Sequence, residues 1–245
     1  AAPYQLTRRQ GPGPKPALAL RLRPCDLRER VHRRHMRNLI LFVVDASGSM
    51  GAADRMAATK SAILSLLLDA YRKRDQVGLV VFRDSGANLL LPPTNSVERA
   101  ERLLATLPTG GRTPLAQALY LAAGVLERAV GQRGGCIPFL VLLSDGRANV
   151  NLAGVGPFAA ALTAAAHVQQ RTARWGGQTL VVDTEAGRTR LGLAREIANA
   201  MAARYLPLEQ LRAGAGLAGQ ALEQSVRSLL APGASLSTGP GAFQS

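Results

Sequence analysis

Apolar positions fall into two alternating kinds of segment along the chain. LILFVV (39–44) is a continuous apolar run, as expected of a strand buried on both faces. From Asp54 to about Ala70 the apolar residues Met56, Ile63, Leu64, Leu67 and Leu68 recur at helical spacing. QVGLVVF (76–82) predicts a second strand, and ANLLL (87–91), arriving after Asp84-Ser85-Gly86, predicts its hairpin partner. Ser96 is placed to cap a helix running to about Leu107. Thr113-Pro114 opens another helix, with Thr as cap and Pro in the first turn, ending near Gly131. IPFLVLLS (137–144) predicts a buried strand, Phe158–Arg171 a helix, QTLVVDT (178–184) a strand, 189–202 a helix and RYLPL (204–208) a short last strand. Residues 209–230 read as a closing helix weakened by Gly214, Gly216 and Gly219. Strands alternating with helices predict an α/β fold: a doubly wound, mostly parallel six-stranded sheet with one antiparallel edge strand.

The two ends read differently. Residues 1–24 are rich in Pro, Gly and Arg, and GPGPKP reads as a linker. DLRERVHRRHMR (26–37) suits either a charged helix or an extended lead-in to the first strand. We therefore expect a basic arm or linker over 1–37, the folded domain over 38–231 and a disordered Gly/Ser/Pro tail over 232–245.

Charge sharpens this division. The formal net charge is +14, and residues 1–38 contribute +8 of it. Such an arm can meet nucleic acid, an anionic membrane or an acidic protein face. No aromatic residues interleave the basic ones and no nucleic-acid module is recognisable, so no nucleic-acid partner is expected. No apolar run reaches the roughly 18 residues of a membrane span, and the N-terminus shows no signal-like apolar stretch. Cys25 and Cys136 are too few for a cluster or a disulfide framework, which suits free thiols in a reducing cytoplasm.

The candidate chemistry collects where strands are expected to end. In sheets of this kind, ligands bind beyond the carboxyl ends of the strands, where strand order reverses. DASGS places Asp45, Ser47 and Ser49 directly after the first strand. GGRTPL places Thr113 at a loop-to-helix junction, and LLSDG places Asp145 after a later strand. Magnesium wants oxygen ligands in near-octahedral array and keeps several waters. Ser47 and Ser49, at alternate positions, can both face such an ion, and Thr113 can offer a third oxygen. Asp45 and Asp145 can bind it directly or hold its waters. An inner shell dominated by neutral hydroxyls leaves the ion most of its charge, so it would attract a carboxylate from a partner. Arg147 and Asn149 would rim such a site.

DASGS, GGRTPL and LLSDG together resemble the metal-ion-dependent adhesion site of von Willebrand factor A domains. The family's five positions fall on Asp45, Ser47, Ser49, Thr113 and Asp145, and the resemblance covers about residues 38–208. It implies the Rossmann-like fold of that family and a bound Mg2+. A narrower likeness runs through DLRERV, FVVDASGSM, KRDQVGLVVFR, LLLPPTNSVERA, LLSDGRAN, VVDTE and ARYLPL. These resemble the C-terminal domain of the D subunit of magnesium chelatase, and relatives associated with cobalt chelatase share much of the pattern.

That resemblance implies a non-catalytic subunit of a complex that inserts a metal ion into a tetrapyrrole. It would bridge an AAA+ ATPase subunit and the large porphyrin-binding subunit. The family's AAA+-like domain ahead of this one has no counterpart here, and GxxxxGK[ST] is absent, so no ATP hydrolysis by this chain is expected. The other reading of the same site is a general cytoplasmic scaffold or adhesion module for an unrelated acidic partner. An independent enzyme fits less well: a phosphatase with Asp45 as nucleophile would want a second carboxylate at position 47, which is Ser, and no GxSxG elbow occurs.

Several other residues draw a structural reading. His32 and His35 lie in an Arg-rich run that repels cations, and His167 and Trp175 read as surface or packing residues. Asp75 and Asp183 read as turn or strand-end residues.

Overall fold

The computed structural model describes residues 37–47, 75–96, 98–99, 102–103, 110–133, 136–152, 154–185 and 191–208. The six strands are β1 (Arg37–Asp45), β2 (Gln76–Arg83), β3 (Gly86–Thr94), β4 (Cys136–Ser144), β5 (Gln178–Asp183) and β6 (Arg204–Pro207). Among the described residues three helices accompany them: α1 (Leu115–Arg133), α2 (Pro157–Arg174) and α3 (Leu193–Ala200). The basic arm, Ser49, the helix predicted from Asp54, the closing helix and the tail lie outside the described residues. So does much of the helix expected after Ser96, whose hydroxyl accepts from Arg99 N at 3.4 Å.

The sheet runs β3-β2-β1-β4-β5-β6. All neighbours pair in parallel except β2 and β3, which form the expected antiparallel hairpin at one edge. That edge carries Pro92 and Pro93, residues a ladder tolerates only at an edge or bulge, and its register shifts around Leu79.

The apolar runs are strands because both of their faces are covered. Leu39, Leu41 and Val43 of β1 share one buried cluster with α1, α2 and α3. Ile40, Phe42 and Val44 belong to a second cluster on the opposite face, where Leu103 packs. Helix α2 enters the first of these clusters through Ala160, Ala161, Ala164, Ala165 and Val168. At the amino ends of the strands, buried Asp75 accepts Asn38 N at 2.9 Å and Asn38 Nδ2 at 3.2 Å, tying β1 to the lead-in of β2.

Candidate functional site

The chain leaves β1 toward β2 on one side, while β4 continues to β5 and β6 on the other. The strand order therefore reverses between β1 and β4, and the crevice at their carboxyl ends is the expected ligand position. Asp45 is the last residue of β1 and Asp145 directly follows β4.

Asp45 organises the centre. One carboxylate oxygen accepts Ser47 N at 2.9 Å and Ser47 Oγ at 2.5 Å; the other accepts Ser144 Oγ at 2.9 Å. Ser47 Oγ also lies 2.7 Å from Thr113 Oγ1. A hydroxyl has one proton. Ser47 gives its proton to Asp45, so Thr113 is the donor to Ser47. The protons of both hydroxyls then run toward Asp45, and their remaining lone pairs are left for another group.

The loop that delivers Thr113 is fastened at several points. Gly110 N donates to Ala46 O at 2.7 Å. Gly111, at φ +97°, passes so close to Asp84 of the β2–β3 turn that a Cβ would overlap its carboxylate. Thr113 N donates to Asn149 Oδ1 at 2.6 Å, and Asn149 N to Thr113 O at 3.3 Å. The expectation that Thr113 caps the following helix is corrected here. Ala118 N bonds Pro114 O at 3.1 Å, so Pro114 holds the cap position and Leu115 begins the helix. The Thr113 hydroxyl is thus released from helix duty and turned to Ser47.

Asp145 Oδ1 accepts Arg147 N at 3.0 Å, and its Oδ2 lies 3.4 Å from Arg147 Nε. Arg147 is exposed, with its guanidinium beside the site. Gly146, at φ +79°, lies against the start of α3: a Cβ there would come within 2.2 Å of Ala194 N. Buried Glu185 accepts Leu191 N at 3.0 Å and Gly192 N at 3.4 Å, fixing the chain just before α3.

Electrostatics set the need of the site. Burial pushes the Asp45 carboxyl up to about 6; hydrogen bonds from Ser47 and Ser144 hold it back, and the charge of Asp145 adds to the rise. Two carboxylates thus face one crevice, and the nearby cationic side chain, Arg147, is engaged with Asp145. The donors are all oxygen, the set a hard divalent cation selects. The 2.7 Å between the Ser47 and Thr113 hydroxyls is close to the about 2.9 Å between neighbouring ligands of an octahedron with bonds of about 2.0–2.1 Å. Among the described residues no cluster of three or more His, Cys, Asp or Glu could hold a metal, so a cation here would rest on hydroxyls and carboxylates together. Asp45, Ser47, Thr113 and Asp145 are the residues that fit it.

Of the residues singled out in the sequence, Asp45, Ser47, Thr113 and Asn149 are joined by hydrogen bonds, and Arg147 joins Asp145. Asn149 spends its side-chain oxygen on the Thr113 backbone rather than leaving it to a partner. Asp183 accepts the Tyr205 hydroxyl at 2.5 Å and Glu185 N at 2.8 Å, in keeping with a strand-end role. His167 packs against the Tyr120 ring at 5.4 Å. Sequence reasoning missed Ser144 and Glu185. Ser144 closes an apolar run inside LLSDG and Glu185 ends VVDTE, so both lay in segments that drew notice, but their partners are set by the path of the loops and by other strands.

A profile of the von Willebrand factor type A domain matches residues 40–147. The chain is 45% identical over 194 residues to the uncharacterized protein Rv2850c of Mycobacterium tuberculosis, covering 79% of this chain and 30% of that protein. It is 40% identical over 163 residues to the uncharacterized protein MJ0910 of Methanocaldococcus jannaschii, covering 66% of this chain and 91% of that one. It is 40% identical over 208 residues to the magnesium-chelatase 60 kDa subunit of Cereibacter sphaeroides, covering 85% of this chain but 36% of the subunit. The chain thus spans about a third of the length of Rv2850c and of that subunit. Among solved structures, the fold matches BatB from Bacteroides thetaiotaomicron (TM-score 0.57, 23% identity, 79% of this chain and 98% of that one). It also matches the SpRpn10 von Willebrand factor A domain (TM-score 0.54, 12% identity, 77% and 95%). With the sheet order, the profile and these relatives in agreement, the chain belongs to the von Willebrand factor type A family, among relatives that include magnesium-chelatase subunits.

Proposed function

We propose that this chain is a non-catalytic, Mg2+-binding interaction subunit of an ATP-dependent metal chelatase. In this reading the domain over 38–231 carries the cation, and the basic arm over 1–37 links it to other parts of the assembly. Its partners would be the AAA+ ATPase subunit and the large porphyrin-binding subunit, in the cytoplasm. The observation that carries the reading is the Asp45–Ser47–Thr113 chain of hydrogen bonds, with Asp145 beside it, at the switch point of the sheet. It is supported by the relatives named as magnesium-chelatase subunits, at 35–40% identity.

When bound, the cation supplies a Lewis-acidic centre able to accept a carboxylate. This chain's residues hold and orient it. Asp45 takes the Ser47 hydroxyl proton in a hydrogen bond and Ser47 takes that of Thr113, which leaves a lone pair on each hydroxyl for the cation. With Asp45 and Asp145 holding the ion's waters and the neutral hydroxyls touching it, a partner's Asp or Glu would meet an ion with much of its charge intact. Arg147 is exposed beside Asp145 and can steer an acidic partner toward the site. No helix among the described residues is long and apolar enough to cross a membrane.

The test is a pull-down of the full chain from its own cell extract, with Mg2+ and with chelator, read by mass spectrometry. Recovery of an AAA+ ATPase and a large tetrapyrrole-binding protein only with Mg2+ is the expected result. Cation-dependent recovery of unrelated proteins would transfer the function to a general scaffold. Recovery that ignores the chelator would remove the cation from the mechanism.

A further inference from the structure

We propose that Ser144 is a positioning residue that locks the two carboxylates into one cation site; this rests on the cation reading above. Ser144 is the last residue of β4 and has no solvent exposure. Along the strand its position follows Leu140 and Leu142, which lie in the cluster shared with the helices. Alternation makes this an apolar position, where an Ala would pack. A buried hydroxyl there is costly unless it is hydrogen-bonded.

This hydroxyl is bonded on both sides. It gives its one proton to Asp45 Oδ2 at 2.9 Å and accepts Gly146 N at 3.1 Å. The first bond joins β4 to the end of β1, 99 positions away. The second folds the chain sharply around Asp145, which lies between the two bonded residues.

Two consequences follow. With Ser47 on one oxygen and Ser144 on the other, the Asp45 carboxylate is held at both ends, which restrains its rotation. On the other side, Gly146 is held between Ser144 Oγ and the backbone of Ala194. Asp145 is therefore aimed by a backbone with little freedom. Ser144 touches both arrangements, yet it belongs to none of the five positions that the resemblance marked.

The experiment measures Mn2+ binding to the full chain by electron paramagnetic resonance of the free ion, with urea unfolding as a control for folding. Wild type is compared with Asp45→Ala, Ser144→Ala and Ser144→Thr. Ser144→Ala is expected to unfold cooperatively and to bind Mn2+ about 10–100-fold more weakly, the usual loss when a residue orienting a metal ligand is removed. Ser144→Thr, which keeps the hydroxyl, is expected to recover binding to within a few-fold of wild type. If the added methyl prevents folding, Ser144→Cys, with a weaker donor of similar shape, should bind between wild type and Ser144→Ala. Binding by Ser144→Ala within twofold of wild type overturns the proposal, as does equal weakening in all folded Ser144 variants. If wild type binds and only Asp45→Ala fails, the cation reading stands and the role of Ser144 falls. If wild type takes up no Mn2+, both fall together.

Discussion

The hydroxyl of Ser47 lies 2.7 Å from that of Thr113, although 66 positions separate them in the chain. The contact closes a hydrogen-bonded line from Thr113 through Ser47 to Asp45. It also explains why the helix behind Thr113 is capped by Pro114 instead.

Thr113→Ala should therefore separate function from stability. We expect at least a tenfold loss of Mn2+ or Mg2+ affinity, with stability lowered by about 1 kcal/mol, the scale of one hydrogen bond. Thr113→Ser should retain binding. Calorimetric titration beside thermal unfolding decides this; a collapse of the fold in Thr113→Ala would mean that the residue serves α1 after all.

Acidity offers a second handle. Burial raises the Asp45 carboxyl to about 6, well above the ordinary carboxylate range. Well below pH 4 the group is protonated in both folded and unfolded chains and costs nothing. As pH rises to 6 and beyond, the unfolded chain ionises first, and the cation-free fold loses up to about 3 kcal/mol. Asp45→Asn should therefore gain stability relative to wild type between pH 4 and pH 7 in chelator. Saturating Mg2+ should reverse that order, and cation affinity should fall below about pH 6 as protons compete. A wild-type–variant difference that is flat with pH would refute the assignment.

Two glycines with nearly the same backbone make an internal comparison. Gly146 and Gly154 sit at φ +79° and +78°, but a Cβ on Gly146 would strike Ala194 N whereas one on Gly154 meets nothing within 4 Å. Gly154→Ala should cost about 1–2 kcal/mol of left-handed strain. Gly146→Ala should cost clearly more, about 3 kcal/mol or above, and should weaken cation binding by displacing Asp145. Equal urea midpoints for the two variants would contradict the packing of Gly146 against α3.

Partner binding should depend on charge at one place. Arg147→Glu is expected to weaken cation-dependent partner capture about tenfold and to flatten its salt dependence. Arg174→Glu, at the end of α2, should leave both unchanged. Equal effects from the two reversals would reduce the contribution of Arg147 to net charge alone.

Much of this architecture was legible because its signals are local. Short continuous apolar runs rich in Ile and Val, such as LILFVV, suit strands buried on both faces, and Asp84-Ser85-Gly86 marks the hairpin turn. Asp45, Thr113 and Asp145 stood out because each directly follows an element or precedes one. What sequence could not supply was which way side chains turn. Thr113 suits a cap in every local respect, and only the approach of Ser47 shows its hydroxyl employed elsewhere. Ser144 looked like the polar end of a strand, since its meaning comes from Asp45 on another strand and from the backbone of Gly146. Asn149 reads as part of a rim that touches a partner, and its oxygen is bound to the Thr113 backbone beside it.

The bond between Asp45 and Ser144 also bears on the order of events during synthesis. Asp45 belongs to the first strand of the sheet, but its neighbour β4 is made only after β2, β3 and α1. A nascent chain stopped short of β4 holds the Asp45 carboxylate without Ser144 to fix it and without Asp145 beside it. Because the contact spans 99 positions, the crevice can assemble only after β4 has been made. Its appearance certifies that the central pair of strands has closed, so a partner that recognises it distinguishes chains in which β1 and β4 have paired from those stopped short of β4.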